Sequence, residues 1–267
     1  MIMNLILFER VFQQVRLAAE DPRTKHIRSV LGIKKGGVLF VGFINGERAV
    51  AKLRQLNTDG SIELALVETE EAPPLLPIDL VIGIPRPHSA RRILFEAACL
   101  GVRSMHFFQS ERSEPSYAQS RLWQKGEYIK RLRLATEQSF TTHLPKVYLG
   151  GTLETILSEF SQRPRNACFV LDNYAAEVSL GALIESQAGT GEKGSFSAEG
   201  VVLVLGSERG WTQDERAAFA GADWQFALLG SRVLRTETAV VSAVSILIDR
   251  LKLGSQRTQS RLLHLYN

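Results

Sequence analysis

From Leu80 onward the chain alternates short apolar runs with amphipathic stretches, and this alternation limits the possible folds more than any other feature. The apolar runs are residues 80–84, 105–108, 146–149, 167–171, 201–205 and 225–229. Each is too short for a buried helix and rich in Val, Ile, Leu or Phe, so each reads as a strand. Between them, residues 89–100 read as a helix capped by Ser89 and ended by Gly101. Residues 117–139 read as one long amphipathic helix and residues 153–160 as another. Strands that are apolar on both faces and separated by helices form a parallel sheet with helices on both sides.

Two of the strands run into glycine-bearing loops. LVLGSERGW (203–211) has Gly206 and Gly210 around its turn, then Thr212 as a helix cap with Asp214 and Glu215 in the first turn. LGSRVLRTETA (229–239) turns at Gly230, and Thr236 is placed to cap a helix that continues as ETAVVSAVSILIDRL. Paired loops at the carboxyl ends of neighbouring strands are where an open α/β sheet binds its ligand.

The first part of the chain has a different rhythm. Residues 1–70 read as a small β-rich domain: a strand at 2–8, a short helix at 24–30, and strands at 38–43, 48–55 and 62–68. Asn45-Gly46 and Asp59-Gly60 are hairpin turns, and short strands joined this way suggest a compact barrel. The opening MIMNLILFER lacks basic residues before its apolar run and reads as a first strand, not a signal peptide. ETEEAPPLLPID (68–79) is acidic and proline-rich and reads as the domain boundary, with 71–78 as an extended linker ahead of a second domain at 79–267. QAGTGEKGSFSAEG (187–200) reads as a surface insertion.

Composition excludes several classes. No apolar run is long enough to span a bilayer. The two cysteines, Cys99 and Cys168, lie in apolar runs and read as buried thiols in a reducing, cytoplasmic setting. No Ser-His-Asp set or metal cluster can be drawn, and no G-x-G-x-x-G follows the first strand of the α/β part. The net charge of +4 permits a polyanionic partner without demanding one.

The loops LGSERGW and LGSRVLRTETA resemble the two signature loops of the ribosomal RNA small subunit methyltransferase E family, within the SPOUT superfamily. The second loop matches along its length. The first keeps Gly206, Glu208 and Gly210 of the family's Gly-Pro-Glu-Gly-Gly, but has Ser207 and Arg209 in place of the Pro and the middle Gly. SERS (110–113), RLATEQSFTTHLPKV (133–147) and HIRSVLGIKKGG (26–37) are similar to further family segments, so the likeness covers nearly the whole chain. The helix after the first α/β strand departs, with Ser89, Arg91 and Arg92 where the family is Lys-rich.

The resemblance implies an α/β fold: a SPOUT-type parallel sheet with a C-terminal trefoil knot, preceded by a small PUA-like β-barrel domain. It implies an S-adenosyl-L-methionine-dependent enzyme that methylates N3 of a uridine in 16S ribosomal RNA. The partners are the RNA or the small ribosomal subunit and a second copy of the chain in a homodimer. Nothing in the sequence pattern shows a knot, and only the resemblance supports one.

Methyl transfer from an activated sulfonium mainly needs donor and acceptor held in line. Leu171, Leu205, Gly206, Glu208, Gly210, Leu229, Gly230, Leu234, Thr236 and Thr238 are the candidate cofactor residues, with backbone groups and apolar walls for an adenine; residues 171–174 supply a third loop. The uridine N3 proton must leave, and a placed base contributes roughly 10²–10⁴-fold. Glu208 and Glu237 are candidates, Glu237 equally suited to a helix N-terminus and Glu208 to bracing its loop. Arg235 and Arg232 are candidates to stabilise a uracil oxyanion or grip a phosphate. Arg10, Arg23, Lys25, Arg28 and Arg112 are candidate RNA contacts. An alternative is a catalytically inactive RNA-binding protein in which Ser207 and Arg209 mark a degenerate cofactor loop.

Overall fold

The structure is a computed structural model that describes residues 5–188, 200–254 and 261–262. Most of the sequence insertion at 187–200 lies outside the described residues, as do residues 2–4 of the first strand. The chain divides into two compact units, one of residues 1–74, 133–144 and 256–267, the other of residues 75–132 and 145–255.

The first unit is built on a curled five-stranded sheet, in the order β1-β3-β4-β5-β2. Its strands are β1 Ile6–Phe8, β2 Gln14–Leu17, β3 Val38–Phe43, β4 Arg48–Leu56 and β5 Ile62–Glu70, with α1 (Pro22–Lys25) and a π turn His26–Val30 between β2 and β3. Asn45 takes φ 58° and Gly60 φ 83° at the two expected hairpins, where left-handed backbone suits Asn and Gly. Alternation along the strands sends Leu39, Val41, Ala49, Ala51, Leu53 and Leu64 to one core, with Ile27 against them. Phe40, Val50 and Leu7 face the other way, towards Phe140 and Leu262.

β2 is a strand that the sequence reading did not contain. Its single buried residue is Leu17, and it is held by antiparallel pairing with β5. Glu137 fastens the opposite edge: its carboxylate accepts the Leu7 N–H at 3.0 Å and its carbonyl accepts the Leu5 N–H at 3.1 Å. Burial pushes the Glu137 carboxyl above the usual carboxylate range.

The second unit holds six parallel strands in the order β11-β9-β10-β6-β7-β8. They are β6 Leu76–Gly83, β7 Val102–Phe108, β8 Lys146–Leu149, β9 Cys168–Leu171, β10 Val201–Leu205 and β11 Gln225–Ala227. The helices are α2 Pro87–Cys99, α3 Arg121–Gln124, α4 Glu127–Gln138, α5 Leu153–Glu159, α6 Leu180–Ala188, α7 Gln213–Gly221 and α8 Thr236–Arg250. From Arg133 onward α4 belongs to the first unit. Val81, Val170, Val202 and Val204 pack on one face with Ile156 of α5 and Phe219 of α7. α8 contacts α2, α6 and β10.

Several boundaries differ from the sequence reading. The first α/β strand begins at Leu76 and not at residue 80, so Pro77 lies inside a central strand. It is tolerated because pairing with β7 is irregular between Leu76 and Asp79 and pairing with β10 starts only at Ile78. The single helix expected over 117–139 is broken into α3 and α4, with Gly126 at φ 64° between them. α2 starts at Pro87 after Arg86, because proline at the first helical position needs no N–H partner; Ser89 is already inside. α8 likewise starts one residue early: Arg235 is its cap residue and Thr236 its first helical residue.

Candidate active site

Four loops at the carboxyl ends of the strands enclose a cavity of about 1060 Å³. They are residues 86–89 after β6, 171–174 after β9, 205–211 after β10 and 227–237 after β11. This volume is at the upper end of small-molecule sites.

The loop after β10 closes tightly on itself. A Cβ on Gly206 would lie 3.0 Å from the Gly210 Cα, and Gly210, at φ 65°, donates its N–H to the Ser207 carbonyl at 2.9 Å. Trp211 is buried and donates its indole N–H to the Leu171 carbonyl at 3.1 Å, which ties this loop to the one after β9. Thr212 and Glu215 form the expected capping box. The second Glu215 oxygen accepts the Glu111 N–H at 2.9 Å. Glu208 accepts the Arg86 backbone N–H at 3.0 Å and so sits at the N-terminus of α2, where a carboxylate is favoured. Arg112 donates to the Arg209 carbonyl at 2.9 Å.

The loop after β11 is anchored at its start, where the Leu228 N–H donates to the Val178 carbonyl at 3.0 Å and its carbonyl accepts the Leu180 N–H at 2.9 Å. Gly230 then takes φ 134°, and a Cβ there would meet nothing within 4 Å. Thr236 and Glu237 are buried, and Glu237 pairs with Arg92 at 3.4 Å. After β9, the buried Asp172 carboxylate accepts from Arg216 and from the Tyr174 N–H at 2.9 Å.

The charges at the mouth are unequal. The lining carboxylates Asp172, Glu208 and Glu237 each have a partner. The lining guanidinium groups of Arg86, Arg209, Arg232 and Arg235 are exposed and make no side-chain hydrogen bond or ion pair among the described residues. The cavity mouth therefore favours an anion.

The structure brings most of the candidate residues together. Leu171, Leu205, Gly206, Glu208, Gly210, Leu229, Gly230, Leu234 and Thr236 line the cavity, with Arg232 and Arg235. Thr238 is exposed and is not part of the lining, since it sits about 200° around α8 from Thr236. Arg10, Lys25 and Arg28 are exposed in the first unit, and Arg28 donates to the Gly60 carbonyl at 3.1 Å. Arg23 is held by Asp21 at 2.7 Å and Glu9 at 3.5 Å. Sequence reasoning missed Arg86, His88 and Ser89 as site residues; the signal available was PRPH directly after a strand, a fourth loop beside the three expected. Among the described residues, no group of three or more His, Cys, Asp or Glu could hold a metal ion, and no helix is long and apolar enough to cross a membrane.

A parallel α/β sheet with its cavity at the strand ends is the setting of a ligand-binding enzyme domain, and residues 71–248 match the family model of an RNA methyltransferase domain. The chain is 31% identical over 252 residues to the ribosomal RNA small subunit methyltransferase E of Treponema pallidum, covering 92% of this chain and 91% of the relative. It is 25% identical to ribosomal RNA small subunit methyltransferase E 1 of Borreliella burgdorferi, over 93% of this chain and 99% of that one. The crystal structure of the Neisseria gonorrhoeae ribosomal RNA small subunit methyltransferase E bound to S-adenosyl methionine shares the fold, with a TM-score of 0.71 and 23% identity over 92% and 97% of the two chains. The chain belongs to the ribosomal RNA small subunit methyltransferase E family.

Proposed function

We propose that this chain is an S-adenosyl-L-methionine-dependent methyltransferase that modifies N3 of a uridine in 16S ribosomal RNA. The observation that carries the reading is the glycine-turned cavity with four guanidinium groups at its mouth that have no side-chain partner among the described residues, in a chain of this family. The residues fit the cofactor. The cavity is large enough, Gly230 leaves its backbone open, and the carbonyl and N–H groups near Leu205, Gly206, Leu229 and Gly230 suit an adenine between apolar walls.

Bound there, the cofactor supplies a methyl group already activated on a sulfonium. The protein's own work is to hold the uridine and favour its anion. Glu208 is held at the α2 N-terminus and Glu237 by Arg92, so each is first a brace. Arg235 and Arg232 favour negative charge on the uracil oxygens as the N3 proton passes to water. Because the surrounding loops are fixed by hydrogen bonds, these groups need little rearrangement during reaction.

The remaining parts of the reading follow the family. The first unit, residues 1–74 with 133–144, acts as a PUA-like RNA-holding domain, with Arg10, Lys25 and Arg28 as phosphate contacts, and the second, which starts at 75 inside the expected 71–78 linker, acts as the catalytic domain. A C-terminal trefoil knot is supported by the order β11-β9-β10-β6: the chain crosses past β9 to form β11 and then returns as α8 onto α6 and α2. A homodimer is part of the same family reading. We read the enzyme as cytoplasmic, in keeping with a ribosomal-subunit substrate.

The test is nucleoside mass spectrometry of small ribosomal subunits that lack the modification, incubated with the protein and methyl-labelled S-adenosylmethionine. The expected product is labelled 3-methyluridine. Label on another base or position overturns the uridine-N3 assignment; no label overturns the enzymatic reading.

A further inference from the structure

Two large apolar side chains on the cavity rim are left in water. Tyr174 and Val233 are each 85% exposed, the highest values among the large hydrophobic residues described. Both line the cavity. Tyr174 also has contacts that an exposed side chain does not need. Its N–H bonds to the Asp172 carboxylate at 2.9 Å, which fixes the turn after β9. The same buried carboxylate holds the Arg216 guanidinium of α7, and that guanidinium lies over the Tyr174 ring, 5.1 Å from its centroid. Asp172 therefore sets both the backbone and the ring, and a cation–π contact steadies the ring in place. What remains is a fixed aromatic ring with most of its surface open, at the edge of a cavity whose mouth is cationic.

An open aromatic ring beside guanidinium groups is the chemistry that receives a nucleobase. A base taken out of a stack needs a flat apolar surface in exchange, and the phosphates on either side of it need cations. Arg86, Arg209, Arg232 and Arg235 are the cations available here.

We propose that Tyr174 is the stacking platform for the acceptor RNA base, holding its flat face while the edge bearing the reactive nitrogen points into the cavity. This rests on the RNA methyltransferase reading above and adds a residue to it. The contact is with RNA and not with the cofactor, because the ring is open to solvent whereas the cavity-lining Leu205, Trp211 and Ala227 are buried. Arg216 and Asp172 act through the ring, as positioning residues. Val233 adds a second apolar contact on the same rim.

The test compares the unaltered chain with Tyr174→Ala, Tyr174→Phe and Tyr174→Trp. Two quantities are measured: cofactor affinity by calorimetry with S-adenosylmethionine, and steady-state methyl transfer to small ribosomal subunits lacking the modification. Base–aromatic stacking corresponds to about 5- to 150-fold in binding. Tyr174→Ala is expected to lower kcat/KM for the RNA by a factor in that range, chiefly through KM, with cofactor affinity unchanged. Phe and Trp are expected to restore it to within a few-fold, since either supplies a ring. Tyr174→Ala that methylates as well as the unaltered chain overturns the proposal. So does a loss of cofactor affinity parallel to the loss of turnover, which would put the ring on the adenine. Phe and Trp variants as weak as Ala also overturn it, because they show that stacking is not the role. If the unaltered chain transfers no methyl group at all, the functional reading falls and takes the proposal with it.

Discussion

Arg235→Ala is expected to reduce methyl transfer by about 10²–10³-fold, the effect of removing one donor from a developing oxyanion, while leaving the fold intact. The position of Arg235 explains why both halves of that expectation hold together. Its backbone is the last extended residue before α8, with φ −66° and ψ 150°, a conformation open to any residue. Its carbonyl accepts the Ala239 N–H at 2.8 Å, a bond that survives substitution. Its side chain is exposed and makes no hydrogen bond or ion pair among the described residues, so truncation leaves no buried partner stranded. A large loss of kcat with an unchanged urea midpoint would support the assignment. Unchanged turnover would remove Arg235 from the chemistry.

The second large effect is structural. Asp79 is 3% exposed in the centre of the sheet, yet it is a carboxylate. It accepts from Arg103 Nε at 3.0 Å, from the Ser104 hydroxyl at 2.6 Å and from Arg163 at 2.8 Å. Burial alone would raise its carboxyl. The hydrogen bonds from Arg103 and Ser104, with the charges on Arg103 and Arg163, outweigh burial and hold it below the usual carboxylate range. Asp79→Ala is expected to destabilise the protein by about 3 kcal/mol, the lower end for breaking a buried pair because Arg103 keeps some access to water.

The pH dependence has a definite sign. A carboxyl whose folded value lies below its unfolded one, near 3.9, adds stability above that value, and the contribution is lost as pH falls through the folded value. His106 lies in the same network: a ring nitrogen is 2.9 Å from the Ser104 hydroxyl, and the ring stacks on Tyr148 at 4.5 Å. Burial pushes its value below 6.5, with Glu159 and Asp79 opposing. Its neutral form therefore stabilises the fold above pH of about 6.5, and that contribution is lost as pH falls through the folded value. Urea unfolding across this range should show an acid decline in two stages, with the lower stage reduced in Asp79→Ala; Glu9 and Asp21, also held below the usual carboxylate range by arginine partners, keep part of it. Equal midpoints for the two proteins at neutral pH would contradict this account.

Local signals and distant ones were unequally legible in the sequence. The turns at Asn45 and Gly60 and the Thr212–Glu215 capping box each depend on residues within four positions, and each is present. The parallel sheet was legible because strands apolar on both faces leave few alternatives. β2 was not legible: three of its four residues face outward or lie half-exposed, so it carries almost no apolar pattern. Neither was the attachment of Glu137 to β1, a contact 130 residues away along the chain. Arg23 could have been read differently from sequence alone, since Asp21 two residues before it is placed to hold its guanidinium. The loop after β6 was overlooked because it contains proline where the loops after β10 and β11 contain glycine, although all of these meet the loop after β9 at one cavity.

The most direct measurement of the central claim is a calorimetric titration of S-adenosylmethionine into the unaltered chain and into Gly230→Val. The account predicts one saturable site in the unaltered chain and an affinity reduced by more than about tenfold in the variant. Val at φ 134° is strained and places its side chain where Gly230 leaves open space in the cavity. No heat of binding in the unaltered chain, or equal affinity in the two, would contradict the claim that these turns hold the methyl donor.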